Sequence, residues 1–494
     1  MIRTLGLLGL LLFSVAALAA DKDKEKDNDA DRLIAEALKP SALETNLRRL
    51  SDEVGGRVPG TPAFQRAVDW GVAAFKDAGA DSVHTEEFEI QQSWAEGATE
   101  MTASLSSGTT FRVGAVSVAW APALAVAKHV PIIDVGDGSA AEFAKVGDIA
   151  GRLVLVHTKV LVTWQDLFGE YERAPAIVAL ALKGKAKAVA FMSTRDHRIL
   201  FRHTNSVNGE IDALPQLIIA REDAERIARL LASAQPVWAD LSIPNKIGPA
   251  LKTWNVVAEI RGSEKPDEFV VLGAHLDSWD LGTGALDDGC NAALVIDALR
   301  AIRASGLRPR RSIRFILFSG EEQGLIGSRI YANTHRAELD KAAGVVIFDS
   351  GTGKITAYST GGRKDIIPAA ESMLSPVQQV SVAKALPTAE SGSDHFDFML
   401  EGVPTFVADQ EEANYMENYH ASTDTFDKVD FSQLKKNVAA ATVLTFALAN
   451  SEDRVGPRLG HSQIEQMLHE THLDQEMKEM GMWDEWVTGK RGRK

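Results

Sequence analysis

The sequence predicts an α/β protein whose largely parallel mixed sheet carries helices on both faces, and three observations predict it. From about residue 252 onward, short apolar runs of strand length alternate with helical patterns, the order expected of parallel strands joined by crossover helices. Of 494 residues 45% are hydrophobic and 24% charged, a globular balance with enough chain for several domains. A single cysteine, Cys290, excludes an internal disulfide framework and any cysteine-based zinc module, so stability must come from packing or from other metal ligands.

The elements follow in order. Residues 1–20 read as a secretory signal: Arg3 gives the positive start, Leu5–Ala17 the apolar middle, and Ala17-Leu18-Ala19 a small-x-small cleavage site. A charged linker, Asp21–Lys26, comes next, and export to a periplasm or to the medium is the expectation. Residues 21–115 open with helices. Thr61-Pro62 is an N-cap with proline at the first helical position, followed by the stripe Phe64, Val68, Val72 and Phe75 and a stop at Gly79. Val83–Ile90 alternates like an edge strand. Residues 116–247 differ in character, with short strands at Val130–Val135, Arg152–Val156 and Ala188–Met192 between Ala-rich helices, as in an inserted α/β domain.

Residues 248–452 carry the regular pattern. Strands are predicted at Asn255–Ile260, Phe269–Ala274, Ile313–Ser319, Val345–Asp349 and Val403–Ala408, and helices at Gly289–Ser305, near Leu325–Thr334 and around Phe431–Ala449. Residues 453–494 read as a charged tail, helical from Ser462 to Met480, that packs outside or frays. The net charge of −15, from 53 Lys+Arg against 68 Asp+Glu, argues against nucleic acid or an anionic membrane as the main partner.

Isolated motifs are weak here. His-x-Asp occurs at His275, His395 and His472, and Glu-Glu at Glu86, Glu321 and Glu411, so position in the fold must discriminate among them. His275 and Asp277 directly follow one apolar strand. Asp287 and Asp288 follow the loop Gly282-Thr283-Gly284 and begin a helix. Glu321 and Glu322 follow the next strand, Asp349 ends another, and His420 lies in a loop beyond a fourth. The carboxyl ends of strands are where sites gather in such sheets. Several carboxylates crowded there would repel, a divalent cation would remove that repulsion, and mixed imidazole and carboxylate donors suit zinc.

The order His275-x-Asp277, Asp287-Asp288, Glu321-Glu322, Asp349 and His420 resembles the co-catalytic di-zinc exopeptidases of peptidase clan MH, the bacterial zinc aminopeptidases and carboxypeptidase Q-like enzymes. Gly56–Thr61 is similar to the loop that leads into a helix in that family, and 116–247 to a protease-associated insertion. The resemblance implies the zinc exopeptidase fold and two zinc ions per chain. Asp287 would bridge them, His275 and Asp349 would complete one site, and Glu322 and His420 the other. It further implies Asp277 as the group orienting His275, Glu321 as general base toward a bridging hydroxide, and in many members a cis peptide after the bridging aspartate. Three carboxylates and one hydroxide balance the four positive charges of two Zn²⁺. Substrates would be dipeptides or the terminal residues of short peptides, with no nucleic acid, no membrane span after cleavage, and a homodimer left open. The layout leans to a dipeptidase/carboxypeptidase; an aminopeptidase is the alternative. A single-zinc cyclising transferase and a non-catalytic receptor-like homologue are the competing classes, and the complete donor set speaks against both. Cys290 reads as a small core residue. Gly392–His395 reads either as part of the pocket or as a helix cap, and His469 with His472 as one face of a solvated helix.

Overall fold

The computed structural model of the protein describes residues 28–206 and 209–494, so the predicted signal at 1–20 lies outside the described residues. The central sheet has eight strands: β1 (Ser82–Ile90), β2 (Leu251–Ile260), β3 (Lys265–His275), β4 (Arg311–Phe318), β5 (Ala342–Ile347), β6 (Ile355–Ser359), β7 (Ala385–Leu386) and β8 (Thr405–Gln410). Their order is β1-β2-β4-β3-β5-β8-β6-β7. Strands β4, β3, β5 and β8 run parallel, while β1, β2 and β6 join antiparallel, which makes the sheet mixed as expected. After β3 the chain goes to one side for β4 and to the other for β5. That reversal is a topological switch point, and it opens a crevice at the carboxyl ends of three strands.

Side chains alternate across the sheet with period two. In β3, Val270, Leu272 and Ala274 enter a core shared with helices Pro62–Asp77, Cys290–Ser305 and Phe431–Asn450, whereas Phe269 and Val271 enter a second core containing Tyr331 and Phe398. Burial on both faces explains why these strands read as unbroken apolar runs. The helix boundaries obey the local signals. Thr61 accepts a hydrogen bond from the Phe64 N–H at 3.2 Å, and Gly306 ends helix Cys290–Ser305 at φ 71°.

A second eight-stranded sheet lies in sequence between β1 and β2. The boundary predicted at 116 falls too late, because strands Glu100–Leu105 and Thr110–Val113 already belong to this sheet. Glu100–Leu105 pairs antiparallel with Val237–Ile243 at the far end of the segment, a ladder that no local periodicity reveals.

The tail packs instead of fraying. It forms helices His461–Glu470, Leu473–Glu479 and Trp483–Val487, whose Ile464, Leu468, Met477 and Trp486 bury themselves against Phe396 and Leu400. Arg491 is buried and grips Asp397 through two hydrogen bonds of 2.8 and 2.9 Å. His469 and His472 do not share one helical face. His472 stands at φ 64° between two helices, and His469 pairs with Asp474 at 3.1 Å. No helix among the described residues is long and apolar enough to cross a membrane.

Candidate metal centre

The crevice at the switch point collects the predicted residues. His275 is the last residue of β3, Asp287 lies in the turn Ala285–Gly289 before helix Cys290–Ser305, Glu321 and Glu322 follow β4, Asp349 follows β5, and His420 comes from the loop after β8. Among the described residues, two sets bring donor atoms within 4.8 Å of one another: His275, Asp287 and Asp349, and Asp287, Glu322 and His420. Asp287 belongs to both. The Asp287–Asp288 peptide bond is cis.

The distances show why these sets call for a cation. His275 Nδ1 lies 3.0 Å from the main-chain carbonyl of Asp277 and must donate to it, which leaves Nε2 as an acceptor in the neutral ring. That Nε2 faces Asp287 Oδ1 at 3.1 Å and Asp349 Oδ1 at 3.2 Å. His420 Nε2 likewise faces Glu322 Oε2 at 2.8 Å and Asp287 Oδ2 at 3.3 Å. Two buried oxygens, Asp287 Oδ2 and Glu322 Oε1, have no hydrogen-bond donor. Converging acceptors without donors are costly in a buried site, and a divalent cation supplies what is missing. The donor chemistry therefore fits a pair of zinc-like ions.

Charge crowding points the same way. Burial, followed by Asp287, pushes the Glu322 carboxyl well above the ordinary carboxylate range, and burial with Asp349 does the same for Glu321. Burial would lower His275, but Asp349 and Asp287 outweigh it and raise the ring. Burial holds His420 down to about 3, so that ring is neutral and free to ligate.

Asp277 sits differently from the expected orienting carboxylate. Its main-chain carbonyl, not its side chain, engages the His275 ring. The carboxylate stands 3.8 Å from Nδ1 and instead accepts the Glu321 N–H at 3.3 Å, tying the base-bearing turn to β3. Ser391 and Gly392 line the cavity beside the site, while Ser393 and Asp394 make no side-chain cap to the helix His395–Leu400. Cys290 is fully buried at the start of its helix, and burial raises its thiol well above the usual range.

Two residues to which the sequence assigns no role hold the loops in place. Asp424 accepts the N–H groups of Ala285, Leu286 and Asp287 at 3.0, 2.7 and 3.2 Å, pinning the turn that carries Asp287. Buried Arg57 donates to the carbonyls of Leu276, Thr283 and Gly284 at 2.6, 2.9 and 3.0 Å. It enters through Gly56, where a β-carbon would stand 2.5 Å from the Asp280 Cα. The available signals are an Asp four residues after His420 and an Arg behind two glycines, and neither is specific alone.

A cavity of about 420 Å³ opens over both donor sets. Its walls come from the central sheet's loops, from helix Trp164–Lys183 of the second sheet, and from the tail, which contributes Glu476, Glu479, Met480 and Arg491.

The fold and the paired donor sets at the sheet edge, under a wall from the second sheet, are those of a zinc metallopeptidase. Residues 255–445 match the sequence model of Peptidase family M28. Carboxypeptidase Q of Bos taurus is 28% identical over 412 residues, spanning 82% of this chain and 85% of the relative. The solved structure of a peptidase M28 precursor from Shewanella amazonensis SB2B is 28% identical with a TM-score of 0.80, covering 88% of this chain and 99% of that one. The zinc aminopeptidase BSAP of Bacillus subtilis shares the fold at 18% identity, with a TM-score of 0.65 and coverage of 85% and 97%.

Proposed function

We propose that the protein is an exported di-zinc exopeptidase that hydrolyses dipeptides and short peptides and engages their free amino end. The observation that carries the metal reading is the pair of buried imidazole–carboxylate clusters sharing Asp287. His275 and Asp349 would hold one ion, Glu322 and His420 the other, and Asp287 both. Bound there, zinc would lower the pKa of water toward about 7 and polarise the peptide carbonyl. Glu321 lies outside both donor sets and lines the cavity. Its carboxylate takes the proton from the attacking water and passes it to the leaving amine, and the Asp277 carboxylate holds its main-chain N–H in register. Export rests on the sequence pattern at 1–20, and the second sheet is read as a protease-associated roof that excludes folded substrates.

The cavity wall supports the choice of terminus. Glu172, Glu476 and Glu479 line it. Arg491 is the one cation among the described lining residues, and its side chain is 2% exposed and committed to Asp397. A substrate ammonium therefore meets carboxylates, whereas a terminal carboxylate meets no free cation. Trp164, Phe168, Tyr171, Tyr415 and Met480 offer apolar contact to side chains. The likeness to carboxypeptidase Q favours the opposite terminus, and one comparison separates the two. Acetylating the amino end of a dipeptide is expected to cut kcat/KM by roughly a hundredfold or more, while amidating the carboxyl end changes it only a few-fold. The reverse pattern would establish a carboxypeptidase.

A further inference from the structure

His420 occupies backbone with φ 56°, a region that side-chain-bearing residues rarely adopt, so its conformation must be imposed by neighbours. Those neighbours come from the second sheet. The Arg202 N–H donates to the His420 carbonyl at 3.0 Å, the Ser422 N–H donates to the Leu200 carbonyl at 2.9 Å, and Phe201 forms an antiparallel bridge with Ala421. A loop of the intervening segment is thus laid as a short ladder along the loop that carries His420. Beside that ladder stands Arg195, 3% exposed. One arm of its guanidinium donates to Glu170 at 3.0 Å and the other to the Tyr419 carbonyl at 2.8 Å. The Tyr419 ring stacks on the His420 imidazole at 3.7 Å and 21°, and its hydroxyl lies 3.1 Å from that of Tyr171. Glu170 and Tyr171 both belong to helix Trp164–Lys183.

We propose that Arg195 is a positioning residue for His420, so that the second sheet completes one of the two metal sites as well as roofing the cavity. The guanidinium fork spans Glu170 and the peptide before His420. It fixes that peptide plane and, through the stacked Tyr419 ring, the direction in which the imidazole faces Glu322 and Asp287. His275 is held independently, by the Asp277 carbonyl and by the loops that Arg57 organises. Arg195 therefore acts on one donor set and not on the other. This inference rests on the reading of the five residues as zinc ligands.

The asymmetry supplies the test. Arg195→Lys keeps a positive charge beside Glu170, but a single ammonium lacks the planar fork needed to reach both partners in the same geometry. Zinc competition against a chromophoric chelator is expected to show one ion bound as in the wild type and the other weakened about tenfold or more. The circular dichroism of the metal-free protein should be unchanged, and kcat should fall with KM little altered. Should that variant fail to fold, Glu170→Gln/Arg195→Met removes both charges together and avoids an unpaired buried ion. It is expected to weaken one site in the same way, while Glu170→Gln alone, which keeps the Arg195–Tyr419 bond, leaves both sites intact. Two wild-type affinities in folded Arg195→Lys, or equal weakening of both sites, would overturn the proposal. If the wild-type protein itself takes up fewer than two zinc ions, the metal reading fails instead.

Discussion

Replacing Glu321 by Gln is expected to lower peptide hydrolysis about a thousandfold while leaving two zinc ions per chain. The two expectations come from different atoms. Glu321 belongs to neither donor set, so its side chain is not needed for metal uptake. Its main-chain N–H contact with Asp277 is untouched by the substitution, which is nearly isosteric. What the amide cannot do is accept a proton from water and release it to the departing amine. The neighbouring residue gives the control: Glu322→Gln alters a donor that lies 2.8 Å from His420 Nε2 and should cost an ion as well as activity. Zinc content by elemental analysis, measured alongside kcat on one dipeptide, separates the two roles. Undiminished hydrolysis by Glu321→Gln would refute the proton transfer assigned to this carboxylate.

Asp287→Ala is expected to remove both ions and all measurable activity, and to leave the metal-free protein at least as stable as the wild type. Asp287 is the one residue common to the two donor sets, so its loss takes a ligand from each. The stability expectation follows from charge. Asp287 is one of the carboxylates whose repulsion helps raise Glu322 and Asp288 well above the ordinary range, after burial itself. Removing it relieves repulsion among buried acids in the absence of metal. In the wild type, zinc at a thousand times its dissociation constant stabilises the fold by about 4 kcal/mol per site. Thermal melts with and without zinc should thus differ strongly for the wild type and coincide for Asp287→Ala. A zinc-dependent shift retained in the variant would contradict the shared role of Asp287.

The parts of this molecule legible in the sequence are those written locally. Strand β3 shows its apolar run over Phe269–Ala274, and the acids and imidazoles stand at the ends of such runs, so strand ends alone are enough to place the crevice. Contacts between remote segments are a different matter. Arg57 reaches carbonyls more than two hundred residues away, and Arg195 reaches Tyr419 across a similar interval. Neither carries a periodic or spacing signal, because each works through one buried guanidinium rather than through a repeated face. The tail misleads for a related reason. Its charged residues suggest a segment that packs outside or frays, yet Ile464, Leu468, Met477 and Trp486 form an apolar seam split over three short helices. The break at His472 interrupts the helical period, and the deciding ion pair, Arg491 with Asp397, again joins distant positions.

One carboxylate, Asp287, belongs to both donor sets at the carboxyl edge of the sheet and would join two metal ions there. Zinc-edge anomalous diffraction from crystals of the zinc-loaded protein tests it most directly. Two peaks are predicted, roughly 3.5–4 Å apart, one among His275, Asp287 and Asp349 and the other among Asp287, Glu322 and His420. A single peak, or density that leaves Asp287 bound to only one ion, would contradict the account.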